Sequence, residues 1–153
     1  MVRAFSLPSE SLSYFIGFSL LHSHELAIVS PWLSDVDVRL PVNDRFESRS
    51  VSLLEALEAL DDTTVHLIVR AGESHNGYVR DRLPAGQRLH EIEDLHAKAV
   101  VTDTFVYMGS ANITRGGLSV NRELCEILEN EHESVQGYLE NTLDLSITLD
   151  LDS

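Results

Sequence analysis

The stretch LHAKAVVTDTFVYMGSAN, residues 95–112, predicts two short strands joined by a turn, and it contains the only lysine of the chain, Lys98. HAKAVVTD and TFVYMGS are both strand-like runs, and they meet at Thr102-Asp103-Thr104. Because alternate residues of a strand share a face, His96 and Lys98 are expected to point the same way. The stretch therefore predicts an imidazole and an ammonium group side by side.

The turn between the two strands would bring a further polar residue close to this pair. A hairpin centred on Asp103 would place His96 opposite Ser110 and Lys98 near Met108. An imidazole, an ammonium and a hydroxyl group would then lie together at one edge of the sheet.

The end of the second strand adds an amide to this group. Ser110 and Asn112 are two residues apart and can share a direction, and Gly109 allows the backbone to turn tightly there. Lysine, asparagine and serine can donate to phosphate oxygens, and histidine can attack phosphorus or transfer a proton. A metal cage would need more clustered carboxylates or histidines, so we expect no metal and no cofactor.

A histidine nucleophile needs a partner on its second ring nitrogen that fixes the tautomer and stabilises positive charge. Glu123, in the strand-like run NRELCEIL, is the candidate for that role beside His96. Asp103 lies in the turn, far along the strand from His96. Its ordinary role is that of a turn residue bonded to its own backbone, and this alternative stays open beside a chemical one.

Three motifs follow one another within residues 95–128: His-x-Lys-x4-Asp in HAKAVVTD, Gly-Ser-x-Asn in GSAN, and Asn-x-Glu in NREL. In this order they resemble the motifs of the phospholipase D superfamily. LAIVSPWLS is also similar to the first strand of phospholipase D-like domains. The resemblance extends from about residue 10 to about residue 130, which is most of the chain.

This resemblance implies an α/β fold with a mixed β-sheet sandwiched between helices, and we expect residues 1–153 to form a single domain of that kind. It also implies a metal-independent phosphodiesterase with a phosphohistidine intermediate, in which two motif copies form one site. One histidine attacks phosphorus and the other protonates the leaving oxygen, while Lys98 and Asn112 hold the nonbridging oxygens. This sequence has one copy, like the short family members that resemble dimeric bacterial endonucleases. We therefore predict a homodimer with its site on the two-fold axis.

Hydrophobic periodicity predicts strands alternating with helices around a single sheet. Helices are predicted at residues 11–22, in SVSLLEALEALDD, around residues 75–83 and in NEHESVQGYLENTL. Strands are predicted in HELAIVSPWL, TVHLIVR, RELCEILE and the two runs described above. Residues 34–48, interrupted by Pro41, are predicted to form a loop. QRLHEIEDL gives no firm assignment, and the tail DLSITLDLDS alternates without an obvious partner.

The chain is strongly acidic, with 25 Asp and Glu residues and a net charge of −14. Such a charge normally opposes binding to nucleic acid, because that affinity comes largely from Lys and Arg on phosphates. The near-absence of lysine favours a halophilic protein instead, since at about 1 M ionic strength the Debye length falls to ~3 Å and surface repulsion is screened. Under this interpretation local charge decides the ligand, and nucleic acid remains the expected partner.

The hydrophobic pattern gives no sign of a membrane protein. No apolar run reaches the ~18 residues that cross a bilayer. SYFIGFSLLH follows serine and glutamate instead of a basic region, which argues against a signal peptide. We therefore expect a cytoplasmic protein without stable membrane association. The lone Cys125 excludes an internal disulfide, and its apolar neighbours predict a core residue.

Two further residues complete the predicted substrate-binding set, which also includes Ser110 and Gly109. Trp32, after the first predicted core strand, could stack a base or a sugar, or it could belong to the core. Arg115 is a candidate phosphate contact, although a solvated arginine is the ordinary alternative. His66, inside TVHLIVR, is expected to be a strand histidine with its hydrogen bonds satisfied.

The preferred hypothesis is a nuclease that cleaves DNA or RNA, and two alternatives stay open. A phospholipase or phosphatidyltransferase is opposed by the lack of a second motif, a membrane segment or a basic amphipathic face. A non-catalytic module could use the motif to dock nucleic acid within a larger complex. The complete set of His96, Lys98, Asn112 and Glu123 opposes that alternative, because binding alone would not need the histidine.

Overall fold

The computed structural model describes residues 3–7, 10–60, 62–110, 112–114, 123–145 and 147 of the chain. The strands are β1 (Arg3–Leu7), β2 (Glu25–Val29), β3 (Asp37–Arg39), β4 (Ser50–Ser52), β5 (Thr64–Arg70), β6 (Arg88–Ile92), β7 (Ala99–Thr102), β8 (Phe105–Gly109) and β9 (Glu123–Glu129). The helices are α1 (Glu10–His22), α2 (Leu53–Ala59), α3 (Gly77–Arg82) and α4 (Val135–Asn141). Within these ranges no helix is long and apolar enough to cross a membrane.

Seven strands form one mixed sheet in the order β1-β9-β8-β7-β2-β5-β6. The neighbours β2–β5 and β5–β6 are parallel, whereas the other four pairs are antiparallel. Strands β3 and β4 form a separate two-stranded antiparallel ribbon. Helices flank the sheet, so the predicted α/β fold with a mixed sheet between helices is confirmed.

The core consists of two apolar layers, one on each face of the sheet. Val65 and Leu67 of β5 pack in the layer that contains the buried residues of α1 and α2. Ile68 of β5 and Ala27 of β2 belong to the other layer, which α4 covers. Successive residues of a strand point to opposite faces, and this is why TVHLIVR is apolar almost throughout.

Helix α2 shows how local sequence determines where an element begins. The Ser52 side chain accepts a hydrogen bond from Glu55 N at 3.2 Å, and the Glu55 carboxylate accepts one from Ser52 N at 3.5 Å. This reciprocal capping box satisfies main-chain donors that the first turn leaves free. The helix then buries Leu53, Leu54 and Leu57 against the sheet, as its predicted apolar face requires.

Most predicted elements are present, and four strands, β1, β3, β4 and β6, were not predicted. The four α-helices found in the described residues lie where they were expected, and the strand predictions are confirmed for β2, β5, β7, β8 and β9. Strand β1 pairs with β9, and β6, within QRLHEIEDL, pairs with β5. Strands β1 and β6 lie at the edges of the seven-stranded sheet, where one-sided pairing weakens the hydrophobic pattern on which the predictions depend.

The prediction of a loop over residues 34–48 is wrong for Asp37–Arg39, which forms β3. Helix α1 packs directly on this strand. The approach is so close that a Cβ atom on Gly17 would lie only 1.8 Å from Arg39 O. Ser13 Oγ on the same helix accepts a hydrogen bond from Arg39 N at 3.0 Å. The strand thus depends on a helix distant in sequence, and the local pattern around Pro41 cannot indicate it.

The predicted hairpin is present, but its turn is displaced by half a residue. Ala99 pairs with Met108, so the centre lies between Asp103 and Thr104 instead of on Asp103. Thr102 explains the difference. Its hydroxyl oxygen accepts from the main-chain nitrogens of Thr104 and of the following phenylalanine, at 3.2 and 2.8 Å, and this closes a two-residue loop.

Candidate active site

Five strands bring the motif residues to one edge of the sheet, and this edge is formed by the ends of the strands and not by an edge strand. Strands β2 and β5 are parallel, so their carboxyl ends at Val29 and Arg70 both lie there. Strand β7 begins at this edge, with Ala99 opposite Val29. Strand β8 ends and β9 begins at the same edge, where Gly109 pairs with Cys125. The segments that leave or enter the sheet at this edge are residues 30–34, 71–76, 95–98 and 112–114.

His96 and Lys98 lie in a segment immediately before β7 and not within the strand itself. His96 is exposed and Lys98 is half-buried. Lys98 Nζ donates to His96 O at 3.4 Å, and Gly109 N donates to Lys98 O at 3.2 Å. Lys98 is therefore opposite Gly109, one residue beyond the predicted Met108. Ser110 as the neighbour of His96 stays a prediction, because the described pairing does not extend to His96.

Asn112 is attached to the end of β2 through its side-chain oxygen. Asn112 Oδ1 accepts from Trp32 N at 3.4 Å and lies 3.3 Å from the Ser30 hydroxyl. Ser30 Oγ also accepts from Ile113 N at 3.0 Å. Within the part of the chain that the structure describes, no group accepts a hydrogen bond from Asn112 Nδ2, so this donor is available to a substrate oxygen.

Trp32 and His75 form a stacked aromatic pair beside Asn112. Their ring centroids are 5.6 Å apart and the ring planes differ by 24°. The Ser34 hydroxyl lies 2.8 Å from His75 Nε2 and fixes the orientation of that ring. Trp32 is 43% exposed, so it is not the core residue that the sequence left as an alternative. An exposed indole at this position can stack on a planar ring.

The buried side chain of Asn76 joins the loops that follow β2 and β5. Its Oδ1 accepts from Leu33 N at 2.8 Å, and its Nδ2 donates to Pro31 O at 2.9 Å and lies 3.4 Å from Arg70 O. Arg70 N also donates to Pro31 O, at 3.1 Å. These bonds satisfy main-chain groups at two strand ends, so they hold Trp32 and Arg70 in fixed relative positions.

Arg70, the last residue of β5, contacts the candidate nucleophile directly. Its Nε donates to Leu95 O at 2.9 Å, its Nη1 contacts Glu73 Oε1 at 3.3 Å, and its Nη2 contacts His96 Nδ1 at 3.3 Å. Each nitrogen of the guanidinium thus has a partner. A cation lies on the ring nitrogen for which the sequence predicted a carboxylate.

Asp103 is separated from the other motif residues. It lies in the turn between β7 and β8, at the opposite end of β7 from His96. Its Oδ1 accepts a hydrogen bond from Thr104 Oγ1 at 3.3 Å. The turn position agrees with the non-catalytic alternative, although Thr102, and not Asp103, bonds the turn backbone.

The remaining predicted site residues are placed less completely. Ser110 is exposed immediately after β8. The main chain of Glu123 begins β9 and pairs with Leu7, so its backbone lies at the edge of the sheet where the site is found. Its side chain, and the whole of Arg115, lie outside the described residues. The roles given to Glu123 and Arg115 stay predictions.

Three residues of the site, Ser30, Arg70 and Asn76, were not predicted from the sequence. Ser30 and Arg70 close the apolar runs LAIVS and TVHLIVR. Ligands of open α/β sheets bind beyond the carboxyl ends of strands, so a polar residue at that position was a usable signal. Asn76 gave no such signal, because its partners are main-chain groups in two separate loops.

The site is locally basic in an acidic protein. Arg70, Lys98 and His96 lie together, whereas the whole chain has a net charge of −14. The described residues include no group of three or more His, Cys, Asp or Glu side chains arranged to hold a metal ion. The ammonium, guanidinium, imidazole and amide groups present are those that bind and react with phosphate.

A pair of histidines, His66 and His90, lies within the sheet, away from the candidate site. His66 of β5 is fully buried, with Nε2 3.2 Å from Glu25 Oε2, and the His90 ring of β6 is 5.7 Å away between centroids. Burial lowers the pKa of His66 below the usual 6.5, although Glu25 opposes this shift. Burial, together with the charges of His66 and Arg88, lowers the pKa of His90. The prediction of a satisfied strand histidine is only partly confirmed, since no described group bonds His66 Nδ1.

The sheet and the basic edge described above define a phospholipase D-like domain. The family model described as "Cardiolipin synthase, PLD-like domain" matches residues 26–144, which is well over half of the chain. The protein therefore belongs to this phospholipase D-like family, and the predicted resemblance is confirmed. A comparison with curated protein sequences gave no match.

Solved structures support the same fold. Nuc from Salmonella typhimurium, a phospholipase D family member, is 16% identical with a TM-score of 0.56, over 94% of this chain and 92% of that one. NucT from Helicobacter pylori is 15% identical with a TM-score of 0.56, over 94% and 96%. Phosphatidylserine synthase from Haemophilus influenzae is 12% identical with a TM-score of 0.53, over 94% of this chain but 37% of its own.

Proposed function

We propose that this protein is a metal-independent nuclease that cleaves phosphodiester bonds of DNA or RNA at a site shared by two protomers. The observation that supports this best is the position of His96, Lys98 and Asn112 at one edge of a phospholipase D-like sheet. Main-chain bonds from Gly109 and Trp32 hold two of these residues in place. Membership of the family supports action on a phosphodiester.

In this proposal His96 is the nucleophile and forms a phosphohistidine. Its Nε2 bonds to phosphorus as the P–O bond breaks, and the leaving oxygen takes a proton from His96 of the partner subunit. Water then attacks phosphorus, gives a proton to that second histidine, and the N–P bond breaks. Glu123 accepts the hydrogen bond from the nucleophilic ring, as the sequence predicts.

Two donors stabilise the transition state in this scheme. Lys98 Nζ and Asn112 Nδ2 donate to the nonbridging oxygens, on which negative charge increases during attack. Asn112 is suited to this because its oxygen is already bonded to the chain and only its nitrogen remains available. Ser110 and Gly109 contact the substrate from the end of β8, and Arg115 adds a phosphate contact.

The exposed aromatic pair favours nucleic acid over a lipid substrate. Trp32 stacks on His75 and bonds Asn112 through its main-chain nitrogen, so a nucleotide next to the cleaved phosphate would reach the indole. Base–aromatic stacking contributes about 1–3 kcal/mol per base and does not depend on sequence. A lipid headgroup has no planar ring to use this surface.

The shared site follows from counting the groups that the chemistry needs. The reaction uses a nucleophile and a general acid, and the sequence contains one copy of the motif. In a two-fold homodimer His96 can fill both roles, one from each chain. The predicted partners are therefore a second copy of this chain and a nucleic acid.

A substrate panel tests the function. The purified protein is incubated in molar salt, with excess chelator, with single-stranded DNA, duplex DNA, RNA and a phospholipid. We expect cleavage of at least one nucleic acid and none of the lipid. Cleavage of lipid alone would favour the phospholipase alternative, and loss of nuclease activity with chelator, restored by magnesium, would contradict the mechanism.

Mixed dimers test the shared site. Wild-type and His96→Ala chains are co-expressed at several ratios, and specific activity is plotted against the wild-type fraction. If both histidines of a dimer are needed, activity follows the square of that fraction, so equal amounts retain about a quarter of the activity. A straight line would show that each chain holds a complete site.

A further inference from the structure

The contact between Arg70 and His96 determines which ring nitrogen holds the proton. A guanidinium has only N–H donors and stays protonated in proteins. Because Arg70 Nη2 lies 3.3 Å from His96 Nδ1, that nitrogen must be the acceptor. The single proton of the neutral imidazole is therefore on Nε2.

We propose that Arg70 is a positioning residue that holds His96 in the Nε2–H tautomer, a resting form of the proposed nuclease site. In this form Nε2 has no free electron pair with which to attack phosphorus. The ring cannot act as a general acid either, since loss of its one proton would leave an imidazolate. Both catalytic roles need a proton on Nδ1, and Arg70 prevents that.

Turnover then requires Arg70 to leave Nδ1 and a carboxylate to replace it. Glu73 already contacts Arg70 Nη1 at 3.3 Å, so it can retain the guanidinium when the contact with His96 breaks. Glu123, which begins β9 at the same edge, is the proposed acceptor for Nδ1–H. The exchange moves no proton onto Arg70. The ring releases its Nε2 proton to water and takes up a proton from water on Nδ1, so the neutral ring carries one proton before and after.

A purely structural role does not account for this contact. The bond from Arg70 Nε to Leu95 O, at 2.9 Å, and the ion pair with Glu73 would anchor the side chain by themselves. His96 is exposed, so its ring is not packed in place by neighbours. The third bond therefore acts on the ring and adds little to the stability of the fold.

Carbethoxylation of histidines tests the tautomer without any nuclease assay. The reagent diethyl pyrocarbonate needs an unprotonated ring nitrogen, and in this form Nδ1 is bonded to Arg70 while Nε2 is protonated. We expect His96 to react at least about tenfold more slowly than exposed His24, which corresponds to a charged hydrogen bond of roughly 1.5 kcal/mol. Peptide mass spectrometry in alkaline buffer gives both rates from one sample.

Three variants give the comparison its controls. Arg70→Met should bring the His96 rate to within about twofold of the His24 rate, because the charged hydrogen bond is lost. Glu73→Gln should slow His96 further, because Arg70 loses its other charged partner. Arg80→Met removes an arginine that is paired with Glu91 elsewhere on the surface, and it should change neither rate.

Rapid labelling of His96 in the wild type, or an unchanged rate in Arg70→Met, would overturn the proposal. If Arg70→Met does not fold, Glu73→Gln decides instead. Slower labelling of His96 in that variant supports the proposal, and an unchanged rate overturns it. The resting-form role rests on the proposed function, so single-turnover cleavage is measured separately and should increase in Arg70→Met. Slower cleavage with faster labelling would mean that Arg70 acts on the substrate and not as a brake. No cleavage by any protein would reject the nuclease proposal and leave the labelling result intact.

Discussion

Strand β5 contains His66 and supplies the residue that contacts His96, yet the surroundings of the two histidines differ in almost every respect. His66 lies in the middle of that strand, fully buried, with the Glu25 carboxylate 3.2 Å from its Nε2. His96 is exposed at the edge of the sheet, and the residue that contacts it from the end of β5 is the cation Arg70. One imidazole thus has an anion as its partner and the other a cation.

This contrast shows that burial and partner charge control different properties of a histidine. Burial acts on the total charge of the ring, and it lowers the pKa of His66 even though Glu25 favours the protonated form. A hydrogen-bond partner at a surface acts on the position of a proton within a neutral ring. Only the second kind of control leaves the ring accessible to a substrate.

The largest expected effect separates the two histidines completely. His96→Gln should lower cleavage on the order of a thousandfold or more, because it removes a nucleophile, and it should leave the melting temperature unchanged. His66→Gln should do the reverse, with a lower melting temperature and normal cleavage per folded molecule. Equal loss of cleavage in both variants would remove the distinction.

The second effect concerns Lys98, the cation that faces the substrate in our proposal. Lys98→Arg keeps the charge but replaces a compact ammonium with a wide planar group. Loss of a well-placed transition-state donor costs on the order of 3 kcal/mol, so single-turnover cleavage should fall about a hundredfold. Arg82→Lys, on exposed α3, is the control and should keep its full rate. Near-normal cleavage by Lys98→Arg would remove Lys98 from the mechanism.

A smaller effect concerns how the free energy of unfolding depends on pH through the pair His66 and His90. The pKa values of His66 and His90 are lowered in the folded protein, so unfolding takes up protons when the pH falls below their usual value of 6.5. The stability that these neutral rings provide is present above about pH 6.5 and is lost as the pH decreases. Urea unfolding between roughly pH 7.5 and pH 5.5 should show a decreasing free energy of unfolding.

The variant that tests this assignment is His90→Gln, because it removes one of the two titrating rings and should make the slope shallower. The other charged groups that act on the pair are Glu25 and Arg88. A wild-type stability that is constant or increases as the pH falls would contradict the assignment.

The smallest effect concerns the acidic surface, away from both histidines. If the net charge of −14 is an adaptation to salt, molar potassium chloride should raise the melting temperature, because it screens repulsion between carboxylates. A scanning measurement across a salt series checks this. A melting temperature that is flat or falls would remove the halophilic interpretation, and the electrostatic objection to nucleic acid would return.

The parts of the fold that could be predicted are those specified by local pattern. The α2 helix has its apolar face and its Ser52–Glu55 cap within one short stretch, and β5 is a continuous apolar run. Strand β3 could not be predicted in the same way, because its position depends on the close approach of Gly17 to Arg39. The hairpin register was wrong because a single hydroxyl, that of Thr102, selects the turn.

In the candidate site, too, the residues in local motifs could be predicted, and those that depend on distant contacts could not. His96, Lys98 and Asn112 could be found because their spacing along the chain is itself informative. Arg70 is 26 residues from His96 in sequence, and its contact depends on how the end of β5 lies beside the segment before β7. Partners of reactive groups are thus the part of a site that sequence order conceals most effectively.

The position of Asn76 has a consequence for the chemical lifetime of the protein. Asn76 is followed by Gly77, and an Asn-Gly pair in a free chain readily cyclises and loses its amide, leaving a carboxylate. In the folded chain both reacting groups are occupied, since the amide bonds Leu33 and Pro31 and the Gly77 nitrogen donates to Ser74 O. Folding therefore protects the side-chain amide of Asn76 from deamidation. A molecule that stays unfolded long enough to lose this amide refolds with a carboxylate at position 76, facing the carbonyl oxygens of Pro31 and Arg70. Deamidation at Asn76 would therefore record past unfolding.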